Sequence, residues 1–369
     1  MNKPHKGWSD HDIGPLYDLA VIIGRFQPFH NGHLALINQA RKIAKHTLIL
    51  IGSSRIARNI KNLFTYDERV KMIGAALGSK PEDFNFLDNE STPRTIMFGS
   101  LVDDLYSDQE WLATVQHEVN KALIGRHLPD GKVVLVGHHK DDSSYYLDMF
   151  PTFDMYEVPN TETLHSTVIR DILFGQGHIP ADAMPDGVVD FLKQWRIHNY
   201  ATYQNLREEH DFIRDYKLRW LNAPFAPVFS TTDAVVICQG HILMIKRRMA
   251  PGKGLWALPG GFLGINESIE ESMLRELDEE TRIKIPKEIV RASIKGSHVF
   301  DHPERSLRGR TITHAFLIVL NNTTGLPKVR GSDDAERAKW IPISKFYSMS
   351  DQMYEDHYSI ASYMINSAG

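Results

Sequence analysis

Residues 18–33 read DLAVIIGRFQPFHNGH. The first part, DLAVIIG (18–24), is a short apolar run stopped by glycine, and HTLILIG (46–52) and KVVLVG (132–137) repeat it. Runs this short and rich in β-branched residues are strands buried on both faces, the habit of parallel sheets. Between them lie segments of helical periodicity: HLALINQARKIAK (33–45), YDERVKMIGAAL (66–77) and DQEWLATVQHEVNKALI (108–124). The alternation predicts right-handed βαβ units in an α/β, doubly wound parallel sheet of Rossmann-like type. Ligands of such sheets bind at the carboxyl ends of the strands, where these glycines stand.

The second part of the stretch, Gly24-Arg25-Phe26-Gln27-Pro28-Phe29-His30-Asn31-Gly32-His33, is a tight loop that runs into a helix starting near Gly32. His30 and His33 fall at that helix N-terminus, where backbone N–H groups and the dipole favour phosphate. Imidazoles there donate hydrogen bonds to an anion and neutralise charge that develops on it. Further on, His165-Ser166-Thr167-Val168-Ile169-Arg170 opens another helix. Ser and Thr are favoured N-caps, and Arg170, one turn in, reaches the same anion.

GRFQPFHNGH and HSTVIR together resemble the two ATP-binding motifs of the HxGH nucleotidyltransferase superfamily. Within it, residues 18–200 resemble the nicotinamide mononucleotide adenylyltransferases of archaeal and cyanobacterial type. Three stretches carry this: IGSSRIARNIKNLFTYDER (51–69), DLYSDQEWLATVQ (104–116) and VGHHKDDSSYYLDMFP (136–151). The resemblance implies that Gly24, Arg25, Phe26, His30, His33, Ser166, Thr167 and Arg170 bind ATP, with His30, His33 and Arg170 catalytic. It implies that nicotinamide mononucleotide meets Trp111, stacked on its nicotinamide ring, and Lys140 and Asp141. Plain core packing is the alternative for Trp111, and a solvated ion pair for Lys140 and Asp141. The implied reaction is attack of the mononucleotide's phosphate on the α-phosphorus of ATP, giving NAD and pyrophosphate. Such transfer needs positioning and charge neutralisation more than a protein nucleophile.

A second constellation lies in GGFLGINESIEESMLRELDEETRI (260–283). Glu276, Glu279 and Glu280 are spaced i, i+3 and i+4, which puts three carboxylates on one helix face. Like charges so placed repel unless cations bind between them, and hard oxygen ligands suit Mg²⁺, with Mn²⁺ as the alternative. Arg275 is placed to orient a neighbouring carboxylate. With Gly261 and Glu267, this spacing matches the Nudix box, and residues 298–316 resemble Nudix domains that hydrolyse or sense ADP-ribose. The resemblance implies metal ligation by Glu276, Glu279 and Glu280 and hydrolysis of ADP-ribose to AMP and ribose 5-phosphate. Asp333, Asp334 and Glu336 are the candidates for a general base. Arg305, Arg308 and Arg310 are candidates for the substrate diphosphate, a plain surface role being the alternative. The box expects Gly where Arg282 stands, a departure that is expected to make the helix end less regular and to bear on turnover.

The chain has 369 residues, 42 % apolar and 24 % charged, and a net charge of −4. That length predicts two domains. Residues 1–200 carry 20 Lys and Arg against 25 Asp and Glu, and residues 201–369 carry 22 against 21. Neither half is basic, so nucleic acid is not an expected partner. No apolar run reaches the ~18 residues of a membrane span, and the opening residues lack an apolar signal core. One cysteine, Cys238, builds neither a disulfide framework nor a thiolate metal site. A cytoplasmic location follows as the expectation.

YQNLREEHDFIRDYKLRWL (203–221) reads as a long charged helix, ended by the prolines of APFAPV. This predicts an adenylyltransferase domain over 1–200, a helical linker over 201–226 and a mixed α+β Nudix domain over 227–369. In the latter, strands 228–239 and 241–248 form a hairpin, a helix spans 267–281, strands lie near 289–300 and 309–320, and a last helix near 355–366. The expected ligands are ATP, nicotinamide mononucleotide, NAD and ADP-ribose. Two other readings stay open: a second domain that senses ADP-ribose without turnover, and a first domain that adenylylates another small phosphate such as phosphopantetheine. The oligomeric state is open, a homo-oligomer included.

Overall fold

A computed structural model of the chain describes residues 15–78, 95–103, 105–138, 149–159, 165–175, 177–321, 324–332 and 334–367. The order of elements begins β1 (Tyr17–Gly24), α1 (Asn31–Ile43), β2 (Ala44–Ile51), α2 (Tyr66–Ala76), β3 (Ile96–Ser100), α3 (Asp108–Ile124), β4 (Val133–Gly137) and β5 (Asp154–Glu157). The five strands form one parallel sheet in the order β3-β2-β1-β4-β5. Three of them are the apolar runs of the sequence. The sequence reading passed over β3, short and interrupted by Gly99, and β5, an edge strand whose DMYE is mostly exposed. Residue alternation along β1 feeds two cores. Ala20 and Ile22 pack with Ile37, Ile49 and Val136 on one face; Leu19 and Val21 pack with Leu48, Val115 and Leu135 on the other.

Three helices follow: α4 (Ser166–Gly175), α5 (Asp186–His198) and α6 (Tyr200–Leu218). The stretch expected as a linker begins as part of the first core. Tyr203 and Leu206 of α6 are buried in it, and the Tyr203 hydroxyl donates to the Leu173 carbonyl at 2.8 Å. Further along α6, the buried Glu209 accepts the Gly252 N–H at 3.0 Å and a backbone hydrogen bond from Ile60. Tyr216 and, just past the helix, Trp220 rest on Phe229. The helix therefore touches both halves of the chain.

The second half holds β6 (Phe229–Cys238), β7 (His241–Arg247), β8 (Trp256–Ala257), β9 (Gly260–Phe262), α7 (Ile269–Thr281), α8 (Lys287–Ala292), β10 (Ile294–Phe300), β11 (Thr311–Leu320), β12 (Ala335–Pro342), α9 (Ile343–Phe346) and α10 (His357–Asn366). The sheet is mixed: β10-β11-β6-β7-β12, with β8 on β7 and β9 on β6, and only β11–β6 parallel. Helix α7 covers one face through Met273, Leu274 and Leu277, and α10 covers the other through Ile360, Ala361 and Met364. The strand expected from 289 starts at Ile294, because Pro286 opens a short helix through KEIVRA. Among the described residues no helix is long and apolar enough to cross a membrane.

A chain ending at residue 222 is expected to melt well above one ending at 200. Removing α6 takes Tyr203 and Leu206 from the first core, each worth roughly 1.5–3 kcal/mol of apolar burial. Equal melting temperatures in a thermal scan would show that α6 does not belong to that core.

Candidate functional sites

The first site forms where the N-termini of α1 and α4 meet the carboxyl ends of β1 and β4. A cleft of about 170 Å³ is walled by Arg25, Phe26, Gln27, His30, Gly32, His33, His138, His165, Ser166, Thr167 and Arg170. His30 is the N-cap of α1: its Nδ1 accepts the Gly32 N–H at 3.1 Å, and His33 Nδ1 accepts the His30 N–H at 3.3 Å. Both Nδ1 atoms thus act as acceptors, which puts the proton of a neutral ring on Nε2 and makes Nε2 the donor. The rings lie 3.8 Å apart, centroid to centroid. Arg170 donates to the Gln27 carbonyl at 2.7 Å and the Thr167 hydroxyl at 3.1 Å, and Ser166 Oγ donates to the Pro28 carbonyl at 3.2 Å. Burial, with the nearby Arg25 charge adding to it, brings the Arg170 guanidinium down to about 10. Two cations facing one cleft beside two helix N-termini make a receptor for a polyanion.

The loop owes its shape to contacts beneath it. Phe26, buried and in the left-handed region (φ 52°), packs edge-on against the His33 ring at 4.8 Å. A Cβ on Gly24 would lie 2.9 Å from the Phe26 ring, so a side chain there would displace it. Gln27 closes the loop onto Phe64 with hydrogen bonds of 2.8 and 2.9 Å. Below sits Arg69, 1 % exposed, which donates to the carbonyls of Arg25 (2.9 Å), Gly52 (2.6 Å) and Ser53 (3.0 Å). Burial lowers its guanidinium to about 10.

Seven residues expected to bind ATP therefore wall one cleft, with Gly24 directly beneath the loop. Trp111 is not on that wall; it lies in the first turn of α3, half-buried, 6.2 Å from the Phe150 ring. Lys140 and Asp141 lie outside the described residues. Sequence reasoning missed Gln27, His138, His165 and Arg69. His138 had a visible signal, since it follows the apolar run that ends at Gly137.

The second site is built on α7, whose N-cap Ser268 forms a capping box with Glu271. Arg275 lies at its centre. The guanidinium grips Glu267 with two bonds (2.7 and 2.9 Å) and reaches Glu276 and Glu279, both at 2.8 Å. These hydrogen bonds hold the Glu267 carboxyl down to about 2. Glu280 turns the other way, 5 % exposed, and accepts the Gly260 N–H at 2.9 Å. Burial, with the Glu276 charge adding to it, pushes Glu280 up to about 8, and burial raises Glu276 as well. A Cβ on Gly261 would lie 2.4 Å from the Glu276 carboxylate, which explains the glycine of the box.

Among the described residues no three His, Cys, Asp or Glu side chains converge as a ready-made metal site. The donor set still fits a divalent cation: hard oxygens of Glu276 and Glu280 are brought together at a cost that positive charge removes. In this structure Arg275 supplies the compensating charge for Glu267, Glu276 and Glu279.

Several expectations need correction or relocation. Arg305 is not a surface ligand for a diphosphate. It is buried in a two-bond pair with Asp356 (2.8 and 2.9 Å), both side chains almost fully enclosed. Arg308 stacks over the Phe262 ring at 4.8 Å, and Arg310 turns to Asp301. Asp334 and Glu336 are exposed at the start of β12, and Asp333 lies outside the described residues. The helix end at Arg282 is regular after all: the residue adopts the left-handed conformation (φ 46°, ψ 38°) that glycine would, and its N–H bonds the Asp278 carbonyl.

A parallel-sheet domain with two helix N-termini aimed into one cleft, joined to a carboxylate-rich helix on a mixed sheet, is the architecture of a nucleotidyltransferase fused to a Nudix domain. Comparison with known proteins agrees. A cytidylyltransferase-like family profile matches residues 21–171, and a NUDIX domain profile matches 229–364. The nicotinamide/nicotinic acid mononucleotide adenylyltransferase of Acinetobacter baylyi is 35 % identical over 195 residues, covering 53 % of this chain and 94 % of that protein. The ADP-ribose pyrophosphatase of Methanocaldococcus jannaschii is 37 % identical over 112 residues, 30 % of this chain and 60 % of that one. The crystal structure of a bifunctional NMN adenylyltransferase/ADP ribose pyrophosphatase from Francisella tularensis, complexed with AMP and a manganese ion, superposes with a TM-score of 0.87. It is 37 % identical and covers 96 % of this chain and 100 % of that one. The chain belongs to this family of bifunctional adenylyltransferase–pyrophosphatases.

Arg282→Gly is expected to stabilise the second domain by roughly 1 kcal/mol, the cost of holding an L-residue in the left-handed region. The check is a higher midpoint in urea; an unchanged midpoint would show that the cap carries no strain.

Proposed function

We propose that the first cleft transfers the adenylyl group of ATP to nicotinamide mononucleotide, and that the α7 site hydrolyses ADP-ribose to AMP and ribose 5-phosphate. The observation that carries the first assignment is the convergence of His30, His33, Ser166, Thr167 and Arg170 on one cleft. In this reading the triphosphate lies across the N-termini of α1 and α4. Arg25 and Arg170 hold its charge, and the imidazole Nε2 protons of His30 and His33 meet the oxygens that gain charge as the bond from the α-phosphorus to pyrophosphate breaks. The attacking atom is a phosphate oxygen of the mononucleotide, so no protein nucleophile is consumed. Trp111 offers its ring to the nicotinamide, and Lys140 and Asp141 are assigned to the same substrate.

For the second activity, Glu276, Glu279 and Glu280 would hold the cation, Mg²⁺ by preference. A bound divalent ion supplies charge for the diphosphate and lowers the pKa of an attacking water. Arg275 keeps Glu267, Glu276 and Glu279 in place. Asp334 and Glu336 remain the described candidates for the base. The single cysteine, buried Cys238, supports a reducing compartment such as the cytoplasm.

Product analysis of the whole chain tests both assignments: NAD from ATP and nicotinamide mononucleotide, AMP from ADP-ribose. His33→Ala or Arg170→Ala should lower NAD formation by on the order of 10²–10³ and leave ADP-ribose hydrolysis intact. Loss of both activities would contradict separate sites. Chelation of divalent metal, or Glu280→Gln, should abolish AMP release; hydrolysis that survives both would sink the α7 assignment.

A further inference from the structure

We propose that Tyr106 is a positioning residue for adenylyl transfer, and that the hydrolase domain provides the anchor that holds it. The proposal rests on the reading that Trp111 serves the mononucleotide.

Tyr106 belongs by sequence to the segment between β3 and α3, yet its ring packs in the second domain. It meets Phe300 edge-on at 5.0 Å and His302 at 6.4 Å, and it lies against the core that includes Phe346 and Ile360. Its hydroxyl donates to Asp356 Oδ2 at 2.5 Å. The acceptor is fixed. Asp356 is 4 % exposed, and the same oxygen takes Arg305 Nε at 2.8 Å while Oδ1 takes Arg305 Nη2 at 2.9 Å. Burial and the Asp356 charge keep the phenol protonated, as a donor. A donor held by a buried ion pair has little freedom to move.

What the anchor fixes lies on either side of Tyr106. Three residues before it, Asp103 accepts the Ser53 N–H at 2.9 Å and also the Ser53 hydroxyl. Ser53 and Gly52 are in turn gripped by Arg69, which also holds the Arg25 carbonyl. One residue after it, Ser107 caps α3 by accepting the Glu110 N–H at 3.3 Å, and Trp111 N–H bonds the Ser107 carbonyl at 3.2 Å. Tyr106 is thus the last residue before the turn that presents Trp111. None of Asp103, Tyr106, Ser107 or Trp111 walls the triphosphate cleft. Because Asp103 is held by its own bonds to Ser53, loss of the Tyr106 anchor frees only the residues that lead into α3, which moves the acceptor side of the reaction and spares the ATP side. The hydrolase domain, through Asp356 and Arg305, becomes part of the scaffold for the other enzyme.

The test is steady-state kinetics on the full chain carrying Tyr106→Phe, which keeps the ring against Phe300 and removes only the hydroxyl, with its bonds to Asp356 and Arg305. The KM for nicotinamide mononucleotide should rise roughly tenfold, the scale of one charge-assisted hydrogen bond lost. The KM for ATP and the rate of ADP-ribose hydrolysis should match the unsubstituted protein. Tyr106→Leu should shift the same KM further. Calorimetric titration with the mononucleotide gives the same reading as a dissociation constant if turnover is too slow to follow. An unchanged KM for the mononucleotide in both variants overturns the proposal, as does a fall in kcat with both KM values unmoved. Parallel loss of hydrolysis also overturns it, since that marks general loosening. Failure of the unsubstituted chain to form NAD would instead overturn the underlying assignment of the first cleft.

Discussion

A guanidinium with almost no access to water governs the first site. Arg69 gives its N–H groups to three carbonyls from two different loops, those following β1 and β2. Bringing a cation into such a place is expensive, and these carbonyl dipoles, with the charges of Asp103 and Glu68, offset the lost hydration. The loops therefore cannot relax independently: each carbonyl that turns away strands part of a buried charge. That constraint holds Arg25 and Phe26 in the strained turn, and Phe26 supports His33. The cleft's chemistry is displayed at the surface, but its rigidity comes from beneath.

The two sites answer opposite electrostatic problems. In the first, Arg170 is desolvated beside another cation, and its affinity for its proton falls. In the second, Glu276 and Glu280 are desolvated beside other carboxylates, and theirs rises. Each site gathers desolvated charge of one sign, which a ligand of the opposite sign would stabilise. A net charge of −4 over the whole chain conceals both, because fields this local average out along the sequence.

Much of this was legible in the residues. The apolar runs stopped by Gly24, Gly52 and Gly137 became the three central strands, and the stretch holding Glu276, Glu279 and Glu280 became helix α7. Those signals are local and periodic, but the helical spacing did not show that Glu280 turns away from Glu276 and Glu279 to take the Gly260 N–H. What escaped was carried by long-range partners. Arg69 looks like any charged residue of an amphipathic helix, because only the fold brings the two loops over it. Arg305 looked like a surface cation because its partner, Asp356, is 51 residues away. Strand β5 lacks an apolar pattern because it is an exposed edge. Helix α6 read as a connector because its buried face, Tyr203, Leu206, Glu209 and Ile213, includes a carboxylate where an apolar residue is the rule. Arg282 broke the sequence pattern without breaking the geometry, since the backbone took the left-handed conformation anyway.

Helix α6 carries one further consequence. Its Tyr203 is seated against α4, and two turns later its Glu209 is seated on Gly252. Both contacts lie on one rod, so what matters between them is angle more than length. One residue inserted between Tyr203 and Glu209 would lengthen the rod by only about 1.5 Å but turn everything beyond it by about 100°. The carboxylate would swing off Gly252 and out toward solvent. A flexible tether would absorb such an insertion unnoticed. Here the count of residues is a phase, and the two halves of the chain are kept in step by it.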